Sequence, residues 1–290
     1  MPNPNVAKPE FLPFSEASDT HHWEFFETLH LSYELPKIGG VFQVTKFHIL
    51  LTLVAFIVGV MMIWLGRKMK NGDVPRGTLW NMLESLLFFV RDDIARPGIG
   101  EHNADKYVPY LTTTFLFVLV ANLLGMIPFM GSPTASIAVT AALALVSFVV
   151  THASGIQENG LTGYLKSYIP HIELDGPTKL MGIFLIPMIF VIEIITPFIR
   201  GFVLAVRLFA NMLAGHTALF VLMFFIKMVS DPKWLAYNEA NSNLYYVVMP
   251  FSVLMVTALT VLELMVAALQ AFIFTLLTSI FIGLAKHPAH

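Results

Sequence analysis

Long apolar runs separated by short polar segments dominate this chain. Windows near 47–66, 108–129, 135–153 and 247–285 are each long enough to cross the hydrocarbon core of a bilayer at about 1.5 Å per residue. A longer stretch from 180 to 226 would extend roughly 70 Å as one helix, which suits either two upright spans or one strongly tilted span. The only candidate turn within it, Pro197 to Gly201, is short and would leave backbone groups in lipid unless protein covered them. The pattern therefore predicts an all-α polytopic membrane protein with about five crossings, the fourth a long tilted helix.

The polar segments between the runs predict the organisation. Residues 1–46 form an N-terminal segment, 47–286 a single membrane-embedded helical domain, and 287–290 a tail. Basic residues concentrate between the first two spans, at Arg67, Lys68, Lys70, Arg76, Arg91, Arg96 and Lys106, against only Lys8, Lys37 and Lys46 before the first. That bias places the 67–106 segment in the cytoplasm, and alternation then puts the N-terminus outside, the GSPT link near 131–134 outside, the 154–179 loop inside, the 227–246 loop outside and the C-terminus inside. Within the basic segment, LWNMLESLLFFVRDDI reads as an amphipathic helix with Leu79, Met82, Leu83, Leu86, Leu87 and Val90 on one side. Such a helix either lies along the membrane surface or packs against the bundle.

Composition agrees with a membrane protein and closes off several functions. Hydrophobic residues make up 56% of the chain and charged residues 12%, which no soluble domain of this length matches. A net charge of -2 argues against nucleic-acid binding, and the absence of cysteine removes disulfides, thiol catalysis and thiolate metal sites together. No cleavable signal is evident, because residues 1–46 are polar, acidic and aromatic rather than a basic segment followed by a short apolar run. No GxxxxGK[ST] phosphate loop occurs, and neither a metal nor a cofactor is expected.

Candidate chemistry lies in the charged and amide side chains inside the apolar runs. Arg207, in LAVRLFANMLAGH, holds a permanently charged guanidinium at membrane depth, at a cost of at least ~2.5–3.5 kcal/mol unless a partner or a task retains it. Glu193, Arg200, Arg207 and Ala214 recur every seven residues, so on a continuous helix they form one stripe, each about 20° from the last. Ala205, Ala210, Ala214 and Gly215 keep that helix thin, either for close helix packing or as a smooth surface past which another body slides. His216 lies about 13.5 Å along the axis from Arg207 and nearly opposite it. On the final span, Glu263 and Gln270 are also seven apart and share a face. If the last two spans form an antiparallel hairpin, residue pairs with equal index sums share a level: Arg207 with Gln270 (207 + 270 = 477) and His216 with Glu263 (216 + 263 = 479). An imidazole there is either a helix–helix hydrogen bond or, beside a carboxylate, half of a proton relay.

Five segments together carry a family resemblance: RLFANMLAGH at 207–216, NLLGMIPF at 122–129, TLWNMLES at 78–85, EIITPFIR at 193–200 and LQAFIFTLLTSIFI at 269–282. In this order, over about residues 45–285, they resemble subunit a of the F-type ATP synthase membrane (Fo) sector, of the bacterial type. The resemblance implies that Arg207 is the family's essential stator charge. It further implies that Asn211, Gln270, His216, Glu263 and Glu193 line the proton pathway, with Arg200, Glu84 and Asn122 in support. Two departures matter: Arg200-Gly201 stands where many members have Arg-Pro, and Pro197 where they often have an apolar residue, so the stripe from Glu193 to Arg207 depends on an unbroken helix. The outer tail carries His21, His22, Glu24, Glu27 and His30, which serve either as a solvated cap or as a proton antenna or metal cluster.

What the resemblance implies is a stator ion-channel subunit of a rotary ATP synthase, not an enzyme on its own, with two offset half-channels serving c-ring carboxylates. Expected partners are the c-subunit ring, b-type peripheral stalk subunits, the F1 head indirectly, the lipid bilayer and the transported H+ or Na+. The expected location is a bacterial inner membrane. The competing class is a stand-alone proton or cation channel or a secondary transporter with a buried Arg-Glu-His pathway, which would predict internal repeats and a broken helix in each half.

Overall fold

Apolar runs of this length leave the backbone one way to satisfy its polar groups in lipid without a closed barrel, and the chain takes it by forming helices. The structure, a computed structural model, describes residues 22–24, 32–34, 37–38, 42–43, 46–70, 77–127, 132–166, 179–230 and 242–286. Helix α1 spans Lys46–Lys70, and α2 spans Thr78–Phe89. A π-helical turn at Val90–Ala95 leads into the short α3, Arg96–Ile99, and then α4, Glu101–Gly125. After a 3-10 turn at Pro133–Ala135 come α5, Ile137–Lys166, α6, Lys179–Ser230, and α7, Ser242–Lys286. Five of these helices contain segments long and apolar enough to cross a membrane: Phe47–Lys70, Glu101–Gly125, Ile137–Tyr164, Pro187–Met223 and Met249–Lys286. The chain is thus a polytopic α-helical membrane protein.

Ahead of α1, four short strands pair in two antiparallel ladders. β1, His22–Glu24, pairs with β2, Ser32–Glu34, and β3, Lys37–Ile38, pairs with β4, Phe42–Gln43. His21, Glu27, His30, Arg76, the centre of the 227–246 loop and the 287–290 tail lie outside the described residues.

The 180–226 stretch is a single helix that runs through both Pro187 and Pro197. Each proline removes one backbone hydrogen bond, and nearby side chains compensate such losses in lipid. Beside Pro197, Thr196 Oγ1 donates to the Ile192 carbonyl at 2.6 Å, the back-bond a threonine makes to the preceding turn of its own helix. α5 departs from the expected boundary near 153 by continuing to Lys166, with a non-helical residue at Gly160 (φ 68°). Hydropathy marks where the apolar surface ends, not where the hydrogen-bond ladder ends. Asn159 there donates to the carbonyls of Ala285 and Lys286, each within 3.3 Å, so a polar turn beyond the apolar window is held in place.

Two compact units are distinguished: residues 1–53, 121–136 and 210–268 form the first, and residues 54–120, 137–209 and 269–290 the second. The first contains a small core of Ala135, Met212 and Ala267 with Met126 against it. The second has a larger core in which Val90, Ile94, Leu111, Leu208, Phe274 and Ile282 are almost completely buried. Its backbones approach closely where glycines allow it: a Cβ on Gly283 would overlap the Gly98 carbonyl, and one on Gly98 would overlap the Ser279 side chain. Small residues are needed there because helices in lipid associate through close van der Waals contact. Ser279 Oγ fastens the same place by donating to the Ile94 carbonyl at 2.9 Å.

The amphipathic helix expected at 79–94 is α2 with the π-helical turn, and it packs against the second unit's core through Leu86, Leu87 and Phe89. Four of the six residues expected on its inner side are there: Leu83 and Val90 are buried, and Leu86 and Leu87 pack against the core. The first turn differs, with Leu79 69% and Met82 56% exposed and Trp80 buried in their place. The Trp80 ring meets Trp64 of α1 edge to face at 6.2 Å and lies under Lys68 Nζ at 5.0 Å, an aromatic contact that a period-based reading does not see.

Candidate functional site

Of the two pairs matched by index sum, His216 and Glu263 come together. His216 on α6 and Glu263 on α7 are both buried, and His216 Nδ1 lies 3.9 Å from Glu263 Oε1. That separation is too long for a direct hydrogen bond and suits an ion pair or a single bridging water. Two antiparallel helices advance at the same rise per residue, which is why one arithmetic relation located the pair.

Gly215 shapes the space around the carboxylate. A Cβ at this position would lie 2.9 Å from Glu263 Oε1, 3.2 Å from its Cδ and 3.4 Å from its Cγ. The glycine beside His216 therefore clears the volume that the Glu263 side chain fills. One turn further along each helix, Met212 and Ala267 pack together with Ala135. The Ala267 carbonyl accepts from Asn122 Nδ2 at 3.4 Å, Asn122 Oδ1 accepts from Thr134 Oγ1 at 2.9 Å, and Thr134 Oγ1 is 2.8 Å from Ser132 Oγ. Asn122, Ser132 and Thr134 are almost fully buried, so this hydrogen-bonded chain ties the 3-10 turn and the end of α4 to α7 one turn from Glu263. Gly125 permits the approach, since a Cβ there would lie 2.5 Å from Ser132 Oγ.

Sequence reasoning named Asn122 but not Thr134, Ser132 or Gly125, and it read Gly215 only as a small residue. The available signal was the cluster of small polar residues in GSPT, close in sequence to Asn122.

The remaining residues are distributed along α2, α6 and α7. Asn211 is partly buried on α6 in the first unit. In the second unit Arg207 and Glu193 are partly buried on α6, Gln270 is buried on α7, and Glu84 is partly buried on α2. Arg200 is exposed, and its guanidinium carbon lies 5.3 Å from the centre of the Phe281 ring, a cation–π contact. Because α6 is unbroken, the seven-residue spacing of Glu193, Arg200 and Arg207 does describe one helical stripe. Large apolar side chains on the same helices face outward, Phe202 at 66% and Leu254 at 67% exposure. Among the described residues no group of three or more histidine, aspartate or glutamate side chains could hold a metal ion.

A permanently charged guanidinium, a buried imidazole–carboxylate pair and open apolar helix faces suit the passage of a small cation along polar groups within lipid. Comparison with known proteins points the same way. The family model described as "ATP synthase A chain" matches residues 48–283. "ATP synthase subunit a" of Myxococcus xanthus is 39% identical over 249 residues, covering 86% of this chain and 74% of that protein. The protein of the same name from Anaeromyxobacter dehalogenans is 38% identical, covering 90% of this chain and 62% of its own length. That from Chloroherpeton thalassium is 36% identical over 281 residues, covering 94% of this chain and 76% of its own.

Proposed function

The chain belongs to the ATP synthase A chain family, and from that membership we propose that it is the stator ion-channel subunit of a rotary F-type ATP synthase. It is a non-catalytic membrane subunit of that complex. The observation that supports the reading of its site is the buried His216–Glu263 pair on facing helices, 3.9 Å apart with the carboxylate seated against Gly215, which we read as a proton-exchanging couple.

In this reading a proton enters from the outer face through Glu263 and His216, with Asn211 and Asn122 supporting the path. It is handed to a carboxylate on the c-subunit ring, the ring turns through lipid, and an inner half-channel near Glu193 releases the proton. Arg207 separates the two half-channels. Its fixed positive charge attracts the deprotonated ring carboxylate, by about 4 kcal/mol at 4 Å separation and an effective dielectric of 20, and opposes a proton passing straight across. Gln270 lines the proton pathway beside the arginine, with Arg200 and Glu84 in support. Each elementary charge moved down 100 mV makes about 2.3 kcal/mol available, and successive steps drive rotation. The chain has no nucleotide-phosphate loop, so synthesis occurs in the F1 head, coupled through the ring, while b-type stalk subunits hold this chain still. The setting is a bacterial inner membrane, with the N-terminus outside and the C-terminus in the cytoplasm.

The test is Arg207→Ala in the assembled complex. ATP-driven proton pumping should fall by at least about a hundredfold while assembly persists, because the lost charge acts on a passing carboxylate rather than on the fold. Near-normal pumping by assembled Arg207→Ala complexes would overturn the assignment.

A further inference from the structure

Away from the His216–Glu263 pair, the second unit carries an apolar groove with one charged end. On α1, Met62, Leu65, Gly66 and Met69 follow the spacing of a single helical stripe and form one wall. Phe88 and Val108 line it as well, and this open groove has a volume of about 420 Å³, within the range that holds one small ligand. Gly66 keeps the groove wide, since a Cβ on it would meet nothing within 4 Å.

The charged end is built, not incidental. Arg91, on the π-helical turn, donates from Nε and Nη2 to the two carboxylate oxygens of Asp105 at 2.7 and 2.9 Å. This fork uses two of the guanidinium's five N–H groups and leaves three for a further acceptor, while the Arg91–Asp105 pair itself carries no net charge. The net positive charge near this end comes from the last turn of α1, which holds Arg67, Lys68 and Lys70; Lys70 follows the groove-lining Met69 and is four residues after the groove-lining Gly66, a spacing that keeps it on the same side of the helix.

We propose that this groove binds an anionic phospholipid, with one acyl chain along the Met62–Met69 stripe and the phosphate at Arg91 and Lys70. A slot that is apolar along its length and cationic at one end matches the two parts of such a lipid, and basic pockets between membrane helices recognise anionic headgroups. A partner's membrane helix fits less well. A helix about 10 Å across has roughly this volume in a single turn, so only a slender chain enters fully. The bound lipid would fill the space between α1, α2 and α4 and brace the segment that carries the basic residues.

The experiment uses the intact complex, reconstituted into vesicles containing a trace of phosphatidylglycerol or phosphatidylcholine with a diazirine on the acyl chain, and maps labelled peptides after irradiation. Phosphatidylglycerol should label the 62–69 and Phe88 peptides about fivefold more than phosphatidylcholine, given one net positive charge at the headgroup once Asp105 is counted against Arg91 and Lys70. Gly66→Leu, whose side chain occupies the groove, should remove that labelling and leave labelling around the exposed Phe202 unchanged. Arg91→Gln should reduce the preference for phosphatidylglycerol to about threefold or less. Equal labelling by the two lipids overturns the proposal, as does groove labelling that survives Gly66→Leu. So does a photo-crosslinker at Met69 that captures another protein chain instead of lipid. Should Gly66→Leu fail to assemble, the lipid preference of the unsubstituted complex decides by itself.

Discussion

Gly215→Ala asks whether the shape of the Glu263 pocket matters to proton movement. The added Cβ would lie 2.9 Å from Glu263 Oε1 and 3.2 Å from Cδ. Ordinary contacts begin near 3.5 Å, so the carboxylate must retreat by about half an ångström. It starts 3.9 Å from His216 Nδ1, so a shift of that size alters the pair on which the proposed relay depends. Overpacking of this kind costs roughly 1–3 kcal/mol, and the lower end applies here because the end of a flexible side chain can give way. If about 1 kcal/mol falls on the productive arrangement, pumping should slow about fivefold, and Gly215→Val, which adds two methyl groups, should slow it further.

The assay is ATP-driven proton uptake by inverted vesicles, normalised to assembled complex. Glu263→Asp supplies the control: it withdraws the carboxylate by about 1.5 Å, one carbon–carbon bond, and so removes the collision. The double variant should therefore pump faster than the two single effects multiplied together, a positive coupling of neighbouring residues. Unchanged pumping in Gly215→Ala, or strictly multiplicative behaviour in the double variant, would refute the steric argument.

Other consequences follow from the same geometry. Gly215→Cys with Glu263→Cys should form an intrachain disulfide rapidly under mild oxidation of this cysteine-free chain, because a Cβ at 215 lies 3.4 Å from Glu263 Cγ, the place a cysteine Sγ at 263 would take, and in a disulfide each sulfur sits about 3 Å from the opposite Cβ. Failure to link, judged by mass spectrometry, would show the α6–α7 register wrong. Thr134→Val removes the 2.9 Å donor to Asn122 and should lower the stability of the assembled subunit by about 1–3 kcal/mol, whereas Thr134→Ser should not. Equal thermal midpoints for the two variants, followed by tryptophan fluorescence in detergent, would remove the clasp from the account.

Crossing number and the single long helix could be read from the chain because lipid permits few alternatives: an apolar run of sufficient length must be helical, and two prolines do not change that. The His216–Glu263 level was also readable, since antiparallel neighbours share one rise and their index sums are conserved. Rotation about each helix axis was not. Periodicity groups residues onto a face, but which of them meet a neighbour depends on side chains from elsewhere in the chain, as in the first turn of α2, where Trp80 against Trp64 is buried and Leu79 and Met82 are exposed. The same holds for small residues. Gly215 seats a carboxylate and Gly283 admits the Gly98 carbonyl, while Gly66 opens onto a groove. Local sequence presents all three as glycines in helices, and what distinguishes them is whether three-dimensional packing brings atoms within 4 Å of the missing side chain, as at Gly215 and Gly283, or leaves the space open, as at Gly66.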